Sequence, residues 1–113
     1  MQIVCEKVTL DELKKMSEKM YNRIVKAVVD VEKGIMVIDM EMHADGEMFM
    51  LENESMQENL WGINIHPELE GDMFIEFDSV INIRPSQENR TRGVDNTILQ
   101  NKIKKLVARL VVK

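Results

Sequence analysis

The sequence predicts an α+β protein with a largely antiparallel sheet of about five or six strands. Three observations predict this fold. Apolar residues alternate in several short segments, turn residues separate these segments, and apolar stripes of helical spacing lie near both ends of the chain. An N-terminal helix is expected after the first strand, and a C-terminal helix is expected to pack on the sheet. The chain has 113 residues, of which 44% are hydrophobic. Residues 1–113 are therefore expected to form one domain around a single core.

The first half of the chain is predicted to contain a short strand, a helix and a β-hairpin. Thr9 begins the helix, because a threonine followed three positions later by Glu12 is typical of a capping box. Apolar residues then alternate along residues 25–31, as expected for a strand. Gly34 supplies a tight turn, and residues 35–42 return as the partner strand.

The second half of the chain is predicted to add further strands and the last helix. Residues 48–51 fit either a buried strand or part of a short helix that begins at Asp45. The polar residues that follow indicate a turn, which favours two strands around it. A strand is expected at residues 60–65, and Asp95 or Asn96 is expected to cap the final helix.

The charge distribution and the single cysteine indicate which partners and location to expect. The net charge is −5, yet residues 86–113 carry seven basic and two acidic side chains. A basic row on the last helix, Lys102, Lys105 and Arg109, could contact nucleic acid. An acidic body and the helix dipole explain this row without such a partner, so nucleic acid is not expected. One cysteine, no apolar run of membrane length and no signal-peptide pattern predict a cytoplasmic protein without a membrane partner.

The strongest site candidate is the polar segment that begins in a strand predicted at residues 74–84. Its side chains alternate, and Pro85 cannot continue a central ladder, so one polar face would lead directly into a polar loop. Arginine binds carboxylate or phosphate in a bidentate way, and amides fix the orientation of such a ligand. The predicted ligand-binding residues are Asn82, Arg84, Gln87, Asn89 and Arg90. The structural alternative is that Arg84 pairs with Glu76 and that the loop amides cap their own turns.

Two shorter polar groups could complete a site. His43 and Asp45 would share one face of a strand, as a general base with its orienting acid or as metal ligands. A hydrogen-bonded structural histidine is the alternative, and neither a metal nor another cofactor is expected. Trp61, beside Gly62, could form a wall on which a ligand stacks, with Asn64 as a polar contact; otherwise it anchors the core.

Several sequence blocks resemble those of a known family. VVDVEKGIM (28–36), EMHAD (41–45), QENLWGIN (57–64) and INIRPSQENRTRG (81–93) are similar to a small prokaryotic family known as a domain of unknown function. The resemblance covers residues 25–93, and members often carry glycine where this chain has Glu88. It implies no activity, substrate or cofactor. The candidates that it places on family-pattern positions are His43, Asp45, Trp61, Asn64, Asn82, Arg84, Gln87, Asn89 and Arg90.

These candidates fit three functions, of which the first is expected and the other two are alternatives. The first is a cytoplasmic binding or regulatory module that holds an anionic small molecule, or an acidic segment of a protein partner, with the Asn/Arg/Gln-rich strand end and loop. The second is a small hydrolase-type enzyme in which His43 is the base, Asp45 or Glu76 orients it, and Arg84 stabilises developing negative charge. The third is nucleic-acid binding by the basic C-terminal helix. The first two depend on whether the polar blocks meet in space.

Overall fold

The computed structural model describes all 113 residues and has helices on both faces of a five-stranded antiparallel sheet. The strand order in the sheet is β1-β4-β3-β5-β6, and β2 and β7 form a separate parallel pair. The α+β fold predicted from the sequence is confirmed. In chain order the elements are β1 (Gln2–Val4), β2 (Val8–Thr9), α1 (Leu10–Ser17), β3 (Val25–Asp30), β4 (Ile35–Ile38), α2 (His43–Glu52), β5 (Leu60–Ile65), β6 (Ile75–Glu76), α3 (Thr97–Leu110) and β7 (Val111–Val112).

The two faces of the sheet carry two separate cores. The larger core lies between the sheet and the helices α1 and α3, to which Leu13 and Ile103 contribute fully buried side chains. The smaller core lies on the opposite face, where Met50 of α2 packs on Val28 and Val37. The alternation of side chains along β3 explains this division, because successive residues of a strand point to opposite faces. None of the helices is long and apolar enough to cross a membrane.

Several local predictions are confirmed. Thr9 and Glu12 form the capping box at the start of α1, with the Glu12 amide 3.1 Å from the Thr9 hydroxyl. Gly34 has a φ of +69° in the turn between β3 and β4. The side chain of Asn96 caps α3 by accepting a hydrogen bond from the amide of Leu99.

The strand favoured at residues 48–51 is wrong and the alternative helix is confirmed, because this segment lies within α2. Its apolar residues stand in one consecutive run, so periodicity could not separate a helix from a strand. The strand expected at residues 60–65 is confirmed as β5. Gly46 allows α2 to approach β3 closely: a Cβ at this position would lie 2.5 Å from the Met40 sulfur and 2.9 Å from a Val28 methyl group. The strand predicted at residues 35–42 is also shorter than expected, ending at Ile38 before Asp39, whose φ is +67°.

The long strand predicted at residues 74–84 is also wrong, since only the two residues of β6 pair with β5. After β6 the chain turns into a short 3-10 helix at Val80–Asn82. Ser79 favours this turn because its hydroxyl accepts a hydrogen bond from the amide of Ile81, 3.3 Å away. Side chains that bond to nearby backbone compete with strand pairing in this way. Asn82 and Arg84 therefore do not lie on a free strand face.

Candidate functional site: a polar cleft beside helix α2

A cleft of about 670 Å³ lies beside the first residues of α2. Its floor is a row of polar side chains on three adjacent strands. Lys26 of β3 is the cross-strand partner of Asn64 on β5, and Asn64 is the partner of Glu76 on β6. Directly opposed side chains have Cβ atoms about 4.5–5.5 Å apart, so these three groups are neighbours. The volume is within the usual range of small-molecule pockets, about 300–1,000 Å³.

The walls of the cleft come from three other parts of the chain. His43 is the first residue of α2, Asp78 follows β6, and Arg92 lies in the loop before α3. Met42 and Val80 line the cleft as well, and both are well exposed to solvent. The cleft therefore combines a polar floor with a partly apolar wall. Its other lining residues are Asn22, Ile24, Ala44, His66, Ser79 and Ile81.

Asn64 is buried in the floor with one polar atom unsatisfied. Its Nδ2 donates to a carboxylate oxygen of Glu76 at 3.0 Å and to the carbonyl of Asp78 at 3.4 Å. Both partners can only accept, so the orientation of the amide is fixed. Its Oδ1 is shielded from solvent and has no hydrogen-bond partner. A buried polar atom without a partner costs about 1–3 kcal/mol, and such an atom calls for an explanation, such as a bound group.

His43 is buried at the edge of the cleft and is held in one tautomer. Its Nε2 lies 2.8 Å from the carbonyl oxygen of Ile63. A carbonyl only accepts, so Nε2 carries the hydrogen and Nδ1 of the neutral ring has a free lone pair. Burial lowers the pKa of His43, and the positive charges of Lys26 and Arg92 lower it further. His43 is therefore neutral near pH 7, with Nδ1 as a hydrogen-bond acceptor.

The charged groups of the cleft balance one another in sign. Asp78 forms an ion pair with Arg92, in which Nε lies 2.6 Å from a carboxylate oxygen. The two terminal amino groups of Arg92 have no partner. Lys26 has no carboxylate partner, and its ammonium donates to the carbonyl of Glu41 at 2.7 Å. Glu76 accepts from Asn64 and from His66, whose Nε2 lies 3.2 Å away.

The structure places Arg84 and Trp61 outside this cleft. The buried guanidinium of Arg84 donates to the carbonyls of Gln57 and Leu60, the second at 2.6 Å. It also stacks on Trp61, with 4.1 Å from its central carbon to the ring centroid. Burial lowers the pKa of Arg84, and the charge of Glu47 raises it. The expected hydrolase arrangement requires Arg84 and His43 to share one pocket. Arg84 does not line the cleft that His43 lines, so the structure lacks this arrangement.

The amides of Asn82 and Asn89 are used within the fold. Asn82 is fully buried, accepts from the amide of Gly62 at 2.8 Å and donates to its carbonyl at 2.9 Å. Asn89 donates to the carbonyls of Asn82 and Gly93, both at 2.8 Å, and accepts from the amide of Asp95. Asn89 therefore satisfies the backbone of its own loop, as the structural alternative expected, whereas Asn82 binds the distant strand β5. The other half of that alternative is wrong, because Arg84 binds backbone carbonyls and not Glu76.

Gln87, Arg90 and Asp45 are exposed and lie apart from the cleft. Gln87 donates to the carbonyl of Glu58 at 3.0 Å and, with Trp61 and Asn89, lines a separate cavity of about 400 Å³. Asp45 lines another cavity, of about 480 Å³. The expectation that His43 and Asp45 share a face is wrong, because residues two apart on a helix point about 200° from each other.

The predicted basic row on α3 is partly engaged within the protein. Arg109 donates to the carbonyl of Gly34 at 2.5 Å. Lys104, beside the row, lies 3.8 Å from a carboxylate oxygen of Asp72. Lys102 and Lys105 are exposed. The structure contains no group of three or more His, Cys, Asp or Glu side chains that could hold a metal ion.

Of the sequence candidates, the structure brings His43, Asn64 and Glu76 into one cleft. Sequence reasoning missed Lys26, Asp78 and Arg92, which complete it. The available signal for Lys26 as a site residue was its position as a polar residue within an apolar strand. Its pairing with Asn64 depends on the register between β3 and β5, and alternation within one strand does not reveal that register.

The fold and the site define an α+β protein with a polar cleft of small-molecule size on one face of an antiparallel sheet. A family model described as "Protein of unknown function (DUF5674)" matches residues 2–110. The chain therefore belongs to this family, and the predicted resemblance to a family of unknown function is confirmed. No curated protein and no solved structure matches the chain.

Proposed function

We propose that the protein is a binding or regulatory module for a small molecule with an anionic group, held in the cleft between α2 and the sheet. This keeps the first function expected from the sequence and moves its site from the 82–90 loop to the floor formed by Lys26, Asn64 and Glu76. The observation that carries the proposal is Lys26, which lines a cleft of about 670 Å³ and whose ammonium has no carboxylate partner.

Two features of the cleft support an anionic ligand. Lys26 keeps two donors free after its bond to the Glu41 carbonyl, and the terminal amino groups of Arg92 are free after Nε binds Asp78. Arginine and lysine donors are the groups that bind carboxylate and phosphate. Both cations line the same cleft as His43, and their charges lower the pKa of its ring.

A thermal-shift screen of anionic small molecules tests this proposal. The probes are mono-, di- and tricarboxylates, inorganic phosphate and nucleoside monophosphates. A ligand present at 100 times its Kd stabilises the folded state by about 2.7 kcal/mol, which corresponds to a Tm rise of about 10 °C for a domain of this size. At least one probe is expected to produce such a shift.

Lys26→Met is the informative variant, because it removes the charge and keeps most of the aliphatic side chain. Lys102→Met is the matched control, since Lys102 is exposed on α3 and does not line the cleft. Lys26→Met is expected to weaken binding at least tenfold, and Lys102→Met is expected to leave it unchanged. The proposal is overturned if no probe shifts the Tm, or if both variants bind equally well.

A second candidate, a small hydrolase-type enzyme, is favoured by the tautomer of His43. His43 lines the cleft, and its free Nδ1 lone pair could accept a proton from water. Incubation of any ligand found in the screen, followed by mass spectrometry, separates the two functions. A ligand recovered unchanged supports the binding module, whereas conversion that is lost in His43→Gln supports the enzyme.

A further inference from the structure

We infer that the ligand of the cleft is a 2-amino or 2-hydroxy carboxylic acid with an apolar side chain. This inference rests on the proposed function and names the class of molecule that the cleft would take. It follows from a feature that a simple anion does not satisfy: two residues that line the cleft, Asn64 and His43, each have a hydrogen-bond acceptor that lacks a donor.

The first acceptor is the Oδ1 atom of Asn64. Asn64 is 6% exposed, and Oδ1 has no partner because Nδ2 is held by Glu76 and the Asp78 carbonyl. A carboxylate cannot satisfy this oxygen, since it presents only acceptors. A ligand N–H or O–H group can do so once the oxygen, which is shielded from solvent, is exposed to the cleft. The second acceptor is Nδ1 of His43, which holds no hydrogen in the observed tautomer.

The charges in the cleft support the same conclusion. Lys26 and Arg92 contribute two positive charges, and Glu76 and Asp78 contribute two negative charges. A purely anionic ligand would meet the carboxylates as well as the cations. A molecule that carries a carboxylate and an adjacent ammonium or hydroxyl group complements both signs.

The floor residues bring the two ligand groups close together. Lys26 and Asn64 are directly opposed on neighbouring strands, so their Cβ atoms lie about 4.5–5.5 Å apart. A carboxylate and a donor on neighbouring carbons of one small molecule suit such adjacent partners. The apolar wall that includes Met42 and Val80 then faces the ligand's side chain.

Four matched compounds test this inference by isothermal titration calorimetry: leucine, 2-hydroxy-4-methylpentanoate, 4-methylpentanoate and 3-methylbutylamine. The first two carry both groups, the third lacks the donor, and the fourth lacks the carboxylate. At least one of the first two is expected to bind at least tenfold more tightly than the third and the fourth.

Two variants tie the preference to the acceptors. Asn64→Ala is expected to reduce the affinity for the two-group ligand at least tenfold, and 4-methylpentanoate is expected to bind it as it binds the wild type. Glu76→Gln provides a second measurement if Asn64→Ala fails to fold. Where the ligand's donor is an ammonium group, this variant is also expected to lose affinity at least tenfold. Glu88→Gln is the matched control because Glu88 is exposed outside the cleft.

The outcomes separate this inference from the proposed function. If 4-methylpentanoate binds as tightly as both two-group compounds, the inference is overturned and anion binding stands. If none of the four compounds binds but another anion from the screen does, the inference is again overturned and anion binding stands. If 3-methylbutylamine binds as tightly as leucine and Lys26→Met has no effect on binding, both the inference and the proposed function are overturned.

Discussion

Replacing Asn82 by alanine tests whether the buried amides of the 82–90 segment hold the fold. The Asn82 side chain joins β5 to the loop before α3 through the amide and carbonyl of Gly62 and the carbonyl of Arg92, at 2.8, 2.9 and 2.9 Å. Alanine removes all three hydrogen bonds in a site that is fully buried. Each lost bond costs about 1–1.5 kcal/mol, so we expect a loss of about 3–5 kcal/mol in the free energy of unfolding.

Urea unfolding measures this loss, and Asn101→Ala is its control. Asn101 is exposed on α3, where alanine is at least as good a helix former, so the control is expected to change stability by less than about 0.5 kcal/mol. Thermal unfolding should show a Tm decrease of about 12–20 °C for Asn82→Ala, at about 4 °C per kcal/mol. A destabilisation within 1 kcal/mol of the control, on the order of one lost bond or less, would refute a structural role for this amide.

Three further changes have defined expected outcomes. Gly62→Ala would place a Cβ 2.6 Å from the hydroxyl of Ser79, so urea unfolding should show a loss of about 1–3 kcal/mol, partly restored by Ser79→Gly. The stability effects of Glu47→Ala and Arg84→Ala should be non-additive by about 0.5–3 kcal/mol in a double-mutant cycle. The reason is that Glu47 Oε2 and Arg84 Nε are both buried without partners and the two charges interact. Additive effects would contradict this coupling. Finally, the lowered pKa of His43 means that the unfolded chain binds a proton more readily below about pH 6.5. The wild type should therefore lose stability as the pH falls from 6.5 through the lower pKa of the folded state, by at most about 1.4 kcal/mol per pH unit from this group. An unchanged pH slope in His43→Gln would contradict the assignment.

Local chemistry explains the parts of the fold that the sequence predicted well. The capping box of Thr9 and Glu12 and the Asn96 cap involve residues three positions apart, so the signal is contained in a few letters. The turn at Gly34 and the strand β5 were likewise set by short segments. In these elements the local preferences of the residues agree with the fold that packing selects.

The candidate site was predicted only in part, because its residues acquire their roles through long-range contacts. Arg84 looked like a ligand-binding group, yet its guanidinium binds carbonyls of residues 57 and 60 and stacks on Trp61. Conversely, Lys26 gained importance only through its register with Asn64. Glu88 adopts a left-handed conformation with a φ of 58°, consistent with the glycine that the family resemblance implies at this position.

The pairing of β2 with β7 has a consequence for how the molecule opens. Val8 is paired with Val111, roughly 100 residues away along the chain, so this closure depends on the prior collapse of the segment between them. The same pair lies directly before α1 and directly after α3. The β2–β7 pairing therefore holds the start of α1 next to the end of α3, the two helices that cover the larger core. When this pairing opens, amide exchange in α1 and at the end of α3 should accelerate together.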